Sequence, residues 1–342
     1  MASHRRPSAS GFNRGARVTL LSAAAATAAA AFGAAPAGAD PGPGSTRAKV
    51  DRLHEEAEKA TERYNKADER ADQLRGEVAA VQDSAARGQE RINRMRGALG
   101  SVASAQYRSS GMDPALELLL STDPDTYLEK AAVLDRLSER QTNALHELER
   151  AQRTLNQQRT EATRKLAELE RTRSAVATHK RSVEAKLAEA RRLLNSLPDA
   201  ERESYDRASR SGRDGALPDL SGGLGPSSAR AAAAVAAAQS VVGRPYVWGA
   251  NGPNGFDCSG LTQWSYAQAG VGLPRTSQAQ RYAGRQVPLS EARPGDLVTY
   301  RSDASHVGMY VGNGQVIHAP YPGAAVRYDP VRMMPNATVT RP

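Results

Sequence analysis

Cysteine is almost absent from this chain: Cys258 is the single one in 342 residues, so no disulfide can close within it. Acid is absent from the first 39 residues, where Arg5, Arg6, Arg14 and Arg17 precede the alanine-rich stretch "VTLLSAAAATAAAAFGAAPAGAD". Basic residues, a weakly apolar run and the small pair Ala37 and Ala39 have the layout of a secretory signal over residues 1–39, cut before Asp40. An uncleaved anchor is the competing reading, because the run is nearly long enough to span a bilayer, but alanine is too weakly hydrophobic to favour it. "RRPSAS" lacks the apolar residues that usually follow a twin-arginine pair. Export normally permits disulfides, so a lone exported thiol needs another reason to exist. Aromatics are scarce too, 5% of the chain, too few to build stacking platforms among the basic residues. With export, that excludes nucleic acid as a partner.

What is present is unevenly distributed. The net charge of +9 comes from the four arginines of the signal and from residues 226–342, with ten basic against five acidic side chains; residues 40–225 carry 32 of each sign. An anionic wall polymer suits a basic, exported C-terminal part. From Val50 through Leu53, Ala57, Ala60, Tyr64, Ala67, Ala71, Leu74 and Val78 to Val102, apolar residues recur at alternating steps of three and four, the seam of a long helix. A second run extends from Leu134 to Leu197, with a stutter around Leu166 and Leu169. Neither stripe can be buried alone, so residues 40–205 are expected to form an antiparallel coiled-coil hairpin or to dimerise. Gly111, Pro114 and Pro124 interrupt the pattern, giving a helical insertion near 109–130 whose Leu116, Leu118, Leu119 and Leu120 form either a cap on the hairpin tip or a docking patch. Residues 206–228 read as a Gly/Ser/Pro linker. Residues 229–342 follow with two helices and then short strand-like runs, "DLVTY", "HVGMYVG", "QVIHA" and "AVRYD", with "GNG" as a hairpin turn. That is an α+β domain.

A thiol hydrolase needs a thiolate, a base and a group that orients the base. Cys258 lies at the start of a predicted helix, where free backbone N–H groups and the helix dipole favour a thiolate and its own amide can donate to an oxyanion. Gly255 and Gly260 are expected to leave space for a substrate backbone. Of six histidines, only His306 and His318 share a domain with Cys258. Pairing across "GNG" can bring His318 beside His306, where it would accept from the Nδ1–H of His306. Each residue also has a plain structural reading: a buried cysteine, a loop histidine and an edge-strand histidine. A zinc site is disfavoured, since Cys-Ser-Gly at a helix start is an amide-donor arrangement and no second nearby Cys or His completes a ligand set.

The segments "GRPYVWGANGPNGFDCSGLTQWSYAQAGVGLPRTSQAQ", "ARPGDLVTY" and "HVGMYVGNGQVIHAP" closely resemble the NlpC/P60 family of cell-wall cysteine peptidases, over about residues 231–330. The resemblance implies a papain-like α+β fold and hydrolysis of peptidoglycan stem peptides, typically at the bond from D-γ-glutamate to the diamino acid. It implies no metal and no cofactor. Carried over by position, Cys258 is the nucleophile, His306 the base and His318 the third polar residue. Tyr246 lines the site and assists the oxyanion, while Asp257 and Ser259 hold the substrate's amino end. Tyr246 as core and Asp257 as helix cap are the alternatives. The two-helix region is similar to the coiled-coil halves of some secreted wall hydrolases, where the coil holds the catalytic domain inactive or docks onto a division-associated membrane complex. A hairpin that covers the Cys258 groove is therefore one expectation; a wall-associated scaffold, or a thiol amidase or acyltransferase, are rival readings.

Overall fold

The two longest seams do become helices. The computed structural model describes residues 43–108, 116, 124–214 and 225–342. The expected signal, most of the 109–130 insertion and the Gly/Ser/Pro stretch 215–224 lie outside the described residues. Helix α1 runs Pro43–Arg108 and α2 Pro124–Asn195. Each starts on a proline, whose missing N–H costs nothing in a first turn; α2 thus begins ten residues before the apolar run does.

The two helices are antiparallel. Lys49 reaches Glu189 at 3.6 Å, Arg70 reaches Glu168 at 2.7 Å, and Arg91 pairs with Glu147 toward the far end. Exposed pairs of this kind fix register more than they stabilise. The apolar seam contributes more, with Val50, Ala57, Ala60, Ala71, Leu74, Val183 and Leu187 all buried. It thins away from the C-terminal domain, where Val102 of the first run and Leu137 of the second are 38% and 39% exposed. A third helix, α3 (Asp199–Asp214), opens with Asp199 and Glu201 in its first turn, where acids complement the helix dipole. Residues 206–214, read from sequence as linker, are thus helical; Tyr205 and the charged residues around it have contacts that a linker lacks. The Tyr205 hydroxyl lies 3.2 Å from His54 Nδ1, and Arg47 Nη2 donates to the Glu201 carbonyl at 3.1 Å.

In the C-terminal part, α4 (Ala229–Ser240) is capped by Ser228, whose hydroxyl accepts from the Ala231 N–H at 3.0 Å. Helix α5 is Cys258–Gln268 and a short α6 is Ser277–Gln280. Six strands follow: β1 (Arg285–Val287), β2 (Leu297–Tyr300), β3 (His306–Gly312), β4 (Gln315–His318), β5 (Arg327–Pro330) and β6 (Thr338–Arg341). They form one antiparallel sheet in the order β1-β6-β2-β3-β4-β5. Leu297, Val307, Met309, Val311 and Ile317 pack against α4 and α5, while Val298, Tyr300, Val316 and Val339 form a second apolar layer. The "GNG" turn joins β3 to β4 with φ of 101°, 50° and 69° at Gly312, Asn313 and Gly314, left-handed values that glycine and asparagine tolerate best. The hairpin and this domain belong to one compact unit.

Candidate active site

Cys258 is the first residue of α5, and its position is fixed by what precedes it. Asp257 is the N-cap, φ −91° and ψ 178°, with Oδ1 accepting from the Gly260 N–H at 2.7 Å. The same carboxylate accepts from the Gly249 N–H at 3.0 Å and pairs with Arg275 Nη2 at 2.6 Å. Asp257 is therefore tied into the scaffold, as the cap reading expects, and has no open face toward solvent. The two glycines beside Cys258 do not hold space for a substrate. A Cβ on Gly260 would sit 2.2 Å from the Ala250 carbonyl, and one on Gly255 would sit 2.5 Å from Val247 Cγ2, so the chain itself fills that room.

The sheet brings the histidines together. Met309 faces Ile317 across β3 and β4, so one further step sets Gly308 against His318 and leaves His306 next along the same face. A Cβ on Gly308 would meet His318 Cβ at 3.2 Å, so glycine lets the two rings approach. They meet edge to face, with His306 Nε2 2.8 Å from His318 Nδ1. This differs from the sequence expectation, which used Nδ1 of His306; that nitrogen instead lacks a hydrogen bond and points toward α1, 3.5 Å from Glu58 Oε1. His318 Nε2 lies 2.7 Å from Asp329 Oδ2. Burial, opposed by Asp329, lowers the His318 pKa to about 4, so the ring is neutral at ordinary pH.

Tyr246 is buried in the same core cluster as Cys258, its N–H bonded to the Ala324 carbonyl at 2.8 Å. Its phenol is pushed far up, first by burial and then by Cys258 and Asp257, so it remains a donor. Ser259 donates to Glu62 Oε1 at 2.7 Å and accepts from Arg275 Nη1 at 3.0 Å.

Nothing in the sequence distinguishes the acids of α1 from a solvated helix face, yet a stripe of them closes this site. His54, Glu58, Thr61, Glu62 and Asn65 are all buried, on a face distinct from the alanine seam. Glu62 Oε1 is 3.7 Å from Cys258 Sγ, and its Oε2 accepts from the Ser277 N–H at 2.8 Å. Glu58 pairs with Arg301 at 2.6 Å. Asn65 donates to Asp257 at 3.0 Å, Tyr64 packs edge-on against Trp248 at 5.1 Å, and His54 stacks on Tyr321 at 4.9 Å. The spacing 54, 58, 62, 65 is one helical face, the signal that only a partner surface makes meaningful. Its electrostatic effect is large. The Cys258 thiol is raised well above its ordinary pKa, by burial first and then by Glu62, Asp257 and Glu58, which reverses the thiolate preference expected at a helix start. Burial, then Asp257, raises Glu62 to about 7, whereas His306 and Arg301 hold Glu58 below its ordinary value against its burial.

Comparison with known proteins bears on the domain that carries these residues. A model of the NlpC/P60 family matches residues 243–340. A protein named probable endopeptidase from Corynebacterium glutamicum is 53% identical over 94 residues, 28% of this chain and 45% of its own. Probable endopeptidase p60 of Listeria monocytogenes is 53% identical over 97 residues, 28% of this chain and 20% of its own. The chain thus covers less than half the length of these curated relatives. Among solved structures, the NlpC/p60 domain of peptidoglycan hydrolase SagA is 40% identical, covering 32% of this chain and 98% of that one, with a TM-score of 0.31. The P60 domain from an antigen of M. avium subspecies paratuberculosis is 38% identical, covering 33% and 93%, also with a TM-score of 0.31. Residues 243–340, which hold Cys258, His306 and His318, are thus an NlpC/P60 domain.

Proposed function

We propose that this chain is a secreted peptidoglycan endopeptidase that cuts stem peptides with Cys258, His306 and His318, and that α1 holds it inactive until displaced. The observation that carries the reading is that Glu62 and Glu58, one turn apart on α1, meet Cys258 Sγ at 3.7 Å and His306 Nδ1 at 3.5 Å, with His318 Nδ1 2.8 Å from His306 Nε2. The names of the relatives, probable endopeptidase and peptidoglycan hydrolase, support the substrate class.

The reaction follows from the atoms available. With α1 withdrawn, His306 Nδ1 takes the thiol proton and Sγ attacks the amide carbon. The Cys258 N–H and the Tyr246 hydroxyl donate to the oxyanion. The imidazolium returns its proton to the leaving amine, and water then hydrolyses the thioester, giving a free amine and a free carboxylate. Glu62 also suggests which bond is cut. Ser259 and the Ser277 N–H bind its carboxylate next to Sγ, and a γ-linked glutamate carries a free α-carboxylate on the same residue as its scissile amide, at the other end of its side chain. That supports the D-γ-glutamyl to diamino acid bond.

Glu58→Lys/Glu62→Lys in the full chain would set like charges against Arg301 and Arg275 and expel α1. Isolated wall digested with this variant should yield new amino groups and stem-peptide fragments of the mass that this cut requires. Fragments of another mass would redirect the reading to an amidase, and silence from a variant whose thiol has become freely reactive would favour the scaffold.

A further inference from the structure

Asp329 plays no role in the steps above, yet it terminates the chain of hydrogen bonds that runs from His306 through His318. Across β4 and β5, His318 faces Arg327 and Val316 faces Asp329, so Asp329 is the diagonal neighbour of His318 on one face. Its Oδ2 lies 2.7 Å from His318 Nε2 and 2.7 Å from Arg327 Nε. Arg327 in turn lies 5.8 Å over the Tyr321 ring.

We infer that Asp329 is a positioning residue of the thiol site, one whose carboxylate sets the direction of the hydrogen bonds through His318 to His306. The inference rests on the Cys258-His306-His318 reading. An ionised carboxylate only accepts, so His318 Nε2 must carry its hydrogen. A neutral His318 then has its lone pair on Nδ1, and that nitrogen accepts from His306 Nε2–H. In neutral His306 the lone pair is left on Nδ1, the nitrogen that faces Glu58 here and can take a proton once α1 is withdrawn. Without Asp329 the same two rings form an equally good bond with both tautomers reversed. Nδ1 of His306 then carries hydrogen and cannot act as base. Two arrangements of opposite polarity therefore compete, and Asp329 selects the productive one from two residues away. Arg327 keeps that carboxylate charged; against its burial, His318 and Arg327 hold its pKa below the ordinary value.

Histidine side-chain nitrogen NMR of the full chain reads this directly, because protonated and unprotonated ring nitrogens resonate far apart. The wild type should show His318 as a single Nε2–H tautomer, with Asp329→Ala populating the Nδ1–H form and Asp329→Asn intermediate, since its amide can accept or donate. In the Glu58→Lys/Glu62→Lys background, Asp329→Ala should lower kcat by about 10- to 100-fold with KM near unchanged. An unaltered His318 tautomer in a folded Asp329→Ala variant, or an unaltered kcat, overturns the inference; Asp329→Asn serves if alanine does not fold. A switched tautomer in a background with no activity would sink the thiol-peptidase reading alone and leave the control of His318 by Asp329 standing.

Discussion

At the scale of single residues, the thiol and its histidines could be picked out by elimination, because one cysteine and two domain-mate histidines leave little choice. Their partners could not. Asp329 is one of many acids until β4 and β5 are in register, and the nitrogen by which His306 meets His318 depends on ring orientations that no spacing encodes. Glu62 carries a consequence for pH. Its proton is held more tightly under the domain, at about 7, than on a free helix, so docking of α1 is best supported below its ordinary carboxyl range and is weakened as pH rises to about 7. Buried neutral His54, facing Glu58 and Asp51, acts in the opposite sense, losing support as pH falls below its ordinary value. The Glu62 contribution is therefore isolated by comparison with Glu62→Gln, which stays uncharged. Between pH 5 and 7.5 the rate of Cys258 labelling by a neutral thiol reagent, divided by that of Glu62→Gln, should rise, by at most roughly tenfold per pH unit. A constant ratio would remove Glu62 from the control of the site.

At the scale of elements, α1 has two buried faces with different chemistry. The alanine-rich seam against α2 was legible from its three-and-four spacing; the polar face His54, Glu58, Glu62, Asn65 was not, because charged residues on a helix ordinarily meet water. The seam buries little area per residue, so its few large side chains carry much of the stability. Leu74→Ala, at a fully buried position, should cost about 2–5 kcal/mol of hairpin stability, seen as a lowered denaturation midpoint. The start of α5 is less tolerant still. A methyl at Gly260 would overlap the Ala250 carbonyl, which is backbone and cannot swing aside, so Gly260→Ala should cost about 1–3 kcal/mol and displace Cys258, abolishing activity in an opened background. A Gly260→Ala variant with wild-type melting and turnover would contradict that placement. The turn "GNG" and the strands it joins were readable from local chemistry. The helix Asp199–Asp214 was not, since its serines, arginines and glycine resemble linker until Tyr205 meets His54 and Tyr321.

At the scale of the whole molecule, domain order and the boundary between a charge-balanced helical part and a basic α+β part were visible in composition. How the two parts meet was not, because Glu62 and Ser259 are 197 residues apart and their contact has no local signature. The meeting has the form of a plug: Glu62 of α1 lies 3.7 Å from Sγ, and the thiol, 1% exposed, has its pKa raised by burial first and then by Glu62, Asp257 and Glu58. The central claim is that one thiol both cuts the wall and is held shut by α1. The most direct test is stem-peptide release from purified wall by three forms of the full chain: wild type, Glu58→Lys/Glu62→Lys, and that pair with Cys258→Ala. The account predicts little release from the first, at least tenfold more from the second and none from the third. Equal release from the first two, or undiminished release after loss of Cys258, would contradict it.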